Sequence, residues 1–135
     1  MVRRRHRRQG GELELLFDHD QLSADDVPYP EAYAKYKGAV SHEKVVRFEP
    51  PRVLAFTFGE GREGVAPFEL FPDGERTRLV LTHSGIQSGT GAQDFGSGWN
   101  SHLIVLREKL AGRSVANFWA LHEQSQKAVA KALAQ

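Results

Sequence analysis

Four of the six histidines fall where their side chains could converge on one cavity. His19, His42 and His83 lie in the inward phase of predicted strands or at a strand end, and His102 lies on the apolar face of a predicted helix. A neutral imidazole in such a cavity can act as a general base, orient the polar end of a ligand or bind zinc. The alternative interpretation is that each histidine is hydrogen-bonded within a core or at a pocket rim.

Metal and cofactor chemistry is not predicted. The chain has no cysteine, and its histidines show neither the His-x-His nor the His-x-x-x-His spacing of metal ligands. Residues 59–64 match G-x-G-x-x-G after a strand, but the residues that follow alternate like another strand instead of opening a helix. Glu60 and Glu63 would also repel a phosphate. We therefore predict a hairpin turn there, no cofactor and no defined catalytic site.

A long amphipathic helix is predicted over residues 91–111. Thr90 with Gln93 resembles a capping box at its start. Gly96 and Gly98 lie inside the helix at a cost of about 1 kcal/mol each relative to Ala, so close packing or room for a ligand should require them. The apolar face carries bulky residues at three- and four-residue spacing: Phe95, Trp99, His102, Leu103, Leu106 and Leu110.

Several strands joined by short turns precede this helix, and a second helix from near Ser114 follows it. The strands are predicted at residues 12–17, 40–48, 52–58, 65–71 and 76–83. Strands first and helices last predict an α+β fold, with a curved antiparallel sheet packed against the long helix. Within the second strand, inward-facing Val40, Val46 and Phe48 would place His42 and Lys44 on the same face.

Charge separates the first residues from the rest. Residues 1–11 contain five of the 18 Lys and Arg and none of the 17 Asp and Glu, so residues 12–135 carry 13 minus 17, or −4. We predict a disordered basic arm over 1–11 and one domain over 12–135. Because the domain is acidic and no aromatic residue interleaves the arginines, nucleic-acid binding is not expected. The absence of cysteines, of a signal peptide and of a membrane-spanning apolar run predicts a cytoplasmic protein.

Several ordered blocks resemble a known family. They are Gly10-Gly11, Leu13 to Ser23, Arg47 to Leu54, Thr82 to Gly85, Gly98-Trp99 with His102-Leu103, and Phe118-Trp119 with His122. These blocks look like bacterial members of the activator of heat-shock-protein-90 ATPase homologue family, a branch of the START-like, helix-grip superfamily also called SRPBCC. The resemblance implies a curved sheet gripping a C-terminal helix around a mainly apolar cavity. Superfamily members bind lipids, polyketides, hormones and other hydrophobic molecules, and some are enzymes.

The resemblance also implies which residues contact a ligand. Carried over to this sequence, they are Phe17, His19, Phe56, Phe58, Phe68, His83, Trp99 and His102. Phe95 is added to them because its helical spacing and the glycines beside it predict that it lines the same cavity. The resemblance implies no set of catalytic residues.

The N-terminal part departs from the family pattern. Family members begin with a strand and two short helices, and here the arginine-rich arm stands in their place. Without that first strand, the last strand at 76–83 would be left at an open sheet edge, which invites pairing with another chain. We therefore expect either a homodimer formed through that edge or an aggregation-prone monomer.

Three functions remain open at this point. The first is a binding protein for a small hydrophobic molecule, with one or two histidines orienting the polar end of the ligand. The second is an enzyme that uses His83 or His102 as a general base in the same cavity. The third is a co-chaperone-like interaction domain that docks a partner through Phe118 and Trp119 on the second helix.

Overall fold

A computed structural model describes residues 2–4 and 10–135 of the chain. The chain divides into two compact units. The sheet unit comprises the described residues up to Leu16 together with Ala39–Ser88. The helical unit comprises Phe17–Gly38 and Gly89–Gln135.

The sheet unit is an antiparallel meander in which each strand pairs with the next along the chain. The strands are β1 (Val2–Arg4), β2 (Glu12–Leu16), β3 (Val40–Glu49), β4 (Val53–Thr57), β5 (Val65–Asp73) and β6 (Arg76–Leu81). Asp73 pairs with Arg76, so Gly74 and Glu75 form a two-residue hairpin turn. Gly74 has a φ of +62°, which a residue without Cβ adopts readily. The predicted α+β fold class is confirmed.

The core of the sheet unit forms where apolar side chains alternate with polar ones. Leu13, Val45 and Phe56 are buried against one another. Partly buried apolar side chains pack around them: Leu15, Phe48, Leu54, Phe58 and Phe68. In β2, the period-2 alternation with Glu12 and Glu14 therefore places Leu13 and Leu15 on the core side.

The phase of β3 differs from the prediction. Glu43 and Val45 are buried, whereas His42 and Lys44 are exposed. The cause is a register shift between Val45 and Arg47, typical of a β-bulge, which adds one residue and reverses the alternation. The prediction that His42 and Lys44 face inward is therefore wrong.

The buried carboxylate of Glu43 organises the turn after β4. It accepts hydrogen bonds from the Thr57 hydroxyl at 2.8 Å and from the Glu60 backbone N–H at 2.9 and 3.1 Å. Glu60 has a φ of +55°, a left-handed conformation that side chains disfavour, and this hydrogen bonding holds it there. The segment 59–64 forms a turn that contains one short 3-10 helix, Gly59–Gly61, and leads into β5 and not into an α-helix.

The helical unit contains α1 (Glu31–Ala34), α2 (Gly91–Leu110) and α3 (Phe118–Leu133). The bounds of α2 agree with the sequence prediction to within one residue. The predicted capping box is wrong, because the Gln93 amide bonds the Ser97 hydroxyl and the Gln126 carbonyl instead of the helix end. Asn117 caps α3 by accepting from the Ala120 N–H, which explains why that helix begins after Ser114. No helix in the described part of the chain is long and apolar enough to cross a membrane.

The two glycines inside α2 have different surroundings. A Cβ at Gly96 would lie 3.0 Å from Cγ1 of Val129 on α3, so this glycine permits a close approach of the two helices. A Cβ at Gly98 would meet no atom within 4 Å. Close packing therefore accounts for Gly96 and leaves Gly98 facing open space.

Two further sequence predictions concern the N-terminal arm and the edge of the sheet. Residues 2–4 form β1, and the Gly10 N–H donates to the Val45 carbonyl at 2.6 Å, so the structure differs there from the disordered arm that was expected. Residues 1 and 5–9 lie outside the described residues. The prediction of a single domain over residues 12–135 stays a prediction. Because β6 pairs only with β5 among the described strands, it stands at a sheet edge, and its pairing with a second copy stays a prediction.

Replacing the buried acceptor tests its role in the fold. Glu43→Ala leaves the Thr57 hydroxyl and the Glu60 N–H without their charged acceptor, so the free energy of unfolding should fall by about 2–3 kcal/mol. Glu12→Ala removes an exposed carboxylate from β2 and should change it by less than about 0.5 kcal/mol. Urea unfolding followed by circular dichroism measures both. Equal losses of unfolding free energy in Glu43→Ala and Glu12→Ala would contradict the role assigned to the Glu43 carboxylate.

The two glycines of α2 form a matched pair for a second test. Gly98→Ala gains helix propensity and meets no neighbour, so it should stabilise the protein by about 0.5–1 kcal/mol. Gly96→Ala gains the same propensity but presses on Val129, so it should be the less stable variant by at least about 1 kcal/mol. Thermal and urea unfolding compare them. Equal stability would mean that the contact with Val129 carries no cost.

Candidate functional site

The helical unit contains a compact group of rings, here called the aromatic cluster. It consists of Phe17, His19, Tyr29, Tyr33, His102, Phe118, Trp119 and His122, linked by ring contacts with centroid separations of 4.9 to 6.2 Å. These rings come from the segment after β2 and from all three helices. The cluster therefore combines an apolar surface with three imidazoles and two phenols, a composition suited to a mainly apolar ligand with one polar end.

His19 lies at the centre of this cluster. Its ring centroid is 5.0 Å from that of Trp119, 5.3 Å from Phe118 and 5.4 Å from His102. The oxygen of Tyr29 lies 2.6 Å from Nδ1 of His19 and also accepts the His19 backbone N–H at 2.9 Å. Burial lowers the pKa of His19, and the nearby His122 lowers it further. The ring is therefore neutral at pH 7.

Hydrogen bonds to the segment before α3 fix the chain that carries His19 and Tyr29. The Ala24 N–H donates to the Val115 carbonyl at 2.8 Å, and the Phe118 N–H donates to the Ser23 hydroxyl at 2.8 Å. A segment that reads as an irregular loop in the sequence is thus held in place at the start of α3, and the rings on either side of it meet as a result.

His122 is part of a directed chain of hydrogen bonds. The Ser101 hydroxyl donates to the Ser97 carbonyl at 3.0 Å, so its oxygen is left to accept from Nδ1–H of His122, also at 3.0 Å. Nε2 of His122 is then an acceptor, and the Tyr33 hydroxyl donates to it across 3.3 Å. Tyr33 in turn accepts from the Gln126 amide at 2.8 Å. This arrangement requires a neutral imidazole, in agreement with the pKa of His122, which burial lowers.

His102 is partly buried on α2 and makes ring contacts with His19 and Phe118. Burial lowers its pKa to about 4, with smaller contributions from the positive charge that His19 and His122 would carry if protonated. An imidazole with such a pKa is neutral at pH 7 and is a weak base.

The structure brings together only some of the predicted ligand residues. Phe17, His19 and His102 belong to the aromatic cluster, and Phe95 and Trp99 are partly buried residues of α2. Phe56, Phe58, Phe68 and His83 belong to the sheet unit, where Phe56 contacts both other phenylalanines and Phe58 contacts His83 at 5.1 Å. That these nine residues contact a ligand stays a prediction.

His83 has a structural hydrogen bond in the sheet unit. Its Nε2 lies 2.7 Å from the Glu63 carbonyl oxygen and therefore donates to it. The bond ties the chain after β6 to the turn after β4. An open depression of about 690 Å³ lies beside that turn and is lined by Gly59, Arg62, Glu63, Gln87 and Ser88. The Glu63 carboxylate there accepts from the Gln87 N–H at 3.1 Å.

Sequence reasoning missed several members of the cluster. Tyr29 falls between the predicted strands 12–17 and 40–48, where no periodicity points to it. The pairing of Tyr33 with His122 joins residues 89 positions apart. Phe118 was expected on a docking surface, but it is 1% exposed and packs inside the helical unit, so that expectation is wrong for this residue. Across the described residues, no three His, Asp or Glu side chains are grouped so as to hold a metal ion.

Comparison with known proteins gives one family and one solved structure. Residues 29–111 match the family described as activator of Hsp90 ATPase homolog 1-like protein. The solution NMR structure of a protein from Bordetella parapertussis is similar, with 38% sequence identity and a TM-score of 0.75. The match covers 92% of this chain and 66% of that chain. No curated protein matches.

The neutral imidazoles predict a dependence of stability on pH. Because burial lowers the pKa of His19, His102 and His122, the unfolded chain takes up protons at a higher pH than the folded chain. The free energy of unfolding should be at its full value above the unfolded pKa of 6.5 and should fall as the pH drops towards the folded pKa of His102, about 4. The share of His102 is at most roughly 3 kcal/mol.

Urea unfolding between about pH 7.5 and about pH 4.5 measures this loss. His102→Leu should flatten the profile, whereas Leu110→Ala, which removes an exposed side chain that does not titrate, should leave its slope unchanged. A profile for His102→Leu as steep as that of the parent protein would contradict the assignment.

Proposed function

Because the chain belongs to the activator of Hsp90 ATPase homolog 1-like family, we propose that it binds a small hydrophobic molecule through the aromatic cluster of the helical unit. The observation that carries the proposal is the convergence of Phe17, His19, His102 and Trp119 on one part of that unit. The family assignment supports a ligand-binding or partner-binding domain without naming the ligand. The proposal adds the kind of ligand and the place where it binds.

Part of the aromatic cluster is exposed to solvent, and a bound ligand would bury this surface. The Phe17 side chain is 43% exposed although its ring lies 6.2 Å from that of His19, and Trp119 is partly exposed. Each square ångström of apolar surface removed from water contributes about 25 cal/mol to binding. Covering these two rings would therefore favour an apolar molecule over a polar one.

The imidazoles of the cluster suit a ligand with a polar end. His19 and His102 are held neutral, so they can meet the ligand without the cost of desolvating a charge. A neutral imidazole offers one donor and one acceptor at the edge of an aromatic surface. These side chains would then orient a molecule that apolar contacts hold.

The enzyme alternative has less support from the same geometry. With a pKa of about 4, His102 is a weak base at neutral pH, far from the value that proton abstraction favours. Nε2 of His83 is committed to the Glu63 carbonyl. A co-chaperone-like role stays a prediction, as does a homodimer formed through β6, since neither has an observation of its own in its favour.

Native mass spectrometry tests the proposal. Protein purified without detergent should carry a noncovalent adduct of lipid-like mass, or should take up methyl hexanoate when it is added. Phe17→Ala removes an exposed ring of the cluster and should lower adduct occupancy roughly fivefold or more, through lost apolar contact area.

Leu110→Ala is the matched control, because it removes an apolar side chain that is 81% exposed and outside the cluster. That variant should bind like the parent protein. The proposal fails if the parent protein neither carries an adduct nor binds the ester, or if the two variants lose occupancy equally.

A further inference from the structure

The hydrogen bonds around Tyr29 fix where the proton of His19 lies. The phenol oxygen already accepts the backbone N–H of His19 at 2.9 Å, and a backbone N–H can only donate. Among the described residues, Nδ1 of His19, 2.6 Å from the same oxygen, is the acceptor within reach of the phenol proton, so the phenol donates to Nδ1. A neutral His19 that accepts at Nδ1 carries its own proton on Nε2.

The resulting Nε2–H is a donor without a hydrogen-bond partner among the described residues. No side-chain nitrogen or oxygen in the described part of the chain is both fully buried and unpaired, so this nitrogen keeps some accessible surface. Around it lie the rings of Trp119, Phe118 and His102, within 5.0 to 5.4 Å of the imidazole centroid. A single oriented donor thus stands in a largely apolar surrounding.

We infer that Nε2–H of His19 is the specificity-determining donor of this site, and that it recognises an uncharged hydrogen-bond acceptor, such as an ester or ketone oxygen, on the hydrophobic ligand. The inference rests on the proposed function and narrows its ligand class. In an apolar surrounding, a hydrogen bond to a carbonyl is stronger than in water and excludes molecules that lack an acceptor at that position.

The surroundings of His19 favour an uncharged ligand over an anionic one. Asp18 and Asp20 flank the histidine in sequence, and the Asp18 carboxylate accepts the Asp20 backbone N–H at 3.1 Å. Lys37 is held by Asp20 at 2.5 Å and lies over the Tyr29 ring, 5.3 Å from its centroid. A carboxylate ligand would have to shed its hydration among the rings around His19, a cost that an uncharged acceptor avoids.

Three probes of equal size separate these ligand classes: methyl hexanoate, nonane and heptanoate. Quenching of tryptophan fluorescence reports binding, since Trp119 lies next to His19. His19→Leu removes the donor and should weaken binding of methyl hexanoate about fivefold to tenfold, with little change for nonane. His19→Gln places an amide N–H near the position of Nε2 and should retain most of the affinity for the ester. His42→Leu should change neither affinity.

A measurement on the unsubstituted protein does not depend on the folding of a variant. In the imidazole proton–nitrogen NMR spectrum, the Nε2–H signal of His19 should shift when methyl hexanoate binds and stay in place with nonane. Three results would overturn the inference and leave the proposed function intact. They are equal effects of His19→Leu on the affinities for ester and alkane, an Nε2–H signal that does not shift when the ester is added, and tighter binding of heptanoate than of methyl hexanoate. If the protein binds neither ester nor alkane, the proposed function fails together with the inference.

Discussion

The requirement that imidazoles inside an aromatic cluster stay neutral governs the helical unit. A protonated imidazole there would have to shed its hydration among rings that cannot replace it. His19 and His122 meet this requirement through tyrosine hydroxyls that occupy one ring nitrogen each. His102 meets it through burial, which lowers its pKa. The packing of the rings and their protonation states therefore depend on one another.

The same requirement connects distant parts of the chain. Tyr29 and His19 come from a segment without regular structure, which backbone hydrogen bonds to residues 115 and 116 hold at the start of α3. Ser101 on α2 and His122 on α3 are hydrogen-bonded at 3.0 Å, which ties these two helices together near the point where Gly96 lets them approach. A polar network thus sets the position of the apolar rings, and a ligand that contacts the rings also meets oriented donors and acceptors.

Local patterns in the sequence were sufficient for the elements but not for the contacts between them. The spacing of apolar residues predicts α2, and the short interval between the predicted strands 65–71 and 76–83 predicts the β5–β6 turn, because both depend on neighbours along the chain. The burial of Glu43 was missed because a bulge reverses the side-chain alternation of β3. No feature of the neighbouring sequence indicates the extra residue of that bulge. Tyr29 was missed because its contribution to the site is the hydrogen bond between its hydroxyl and His19, and only the folded chain brings these two groups together. His19 and His102 were named from the phases of their strand and helix, Phe17 was named through the family resemblance, and all three belong to one cluster.

The neutrality of the three imidazoles can be measured by long-range proton–nitrogen NMR at about pH 7, which reads the protonation state of each ring. We expect His19 to carry its proton on Nε2, His122 to carry its proton on Nδ1 and His102 to be neutral. A charged imidazolium at any of these three positions, or the opposite tautomer at His19, would contradict this expectation.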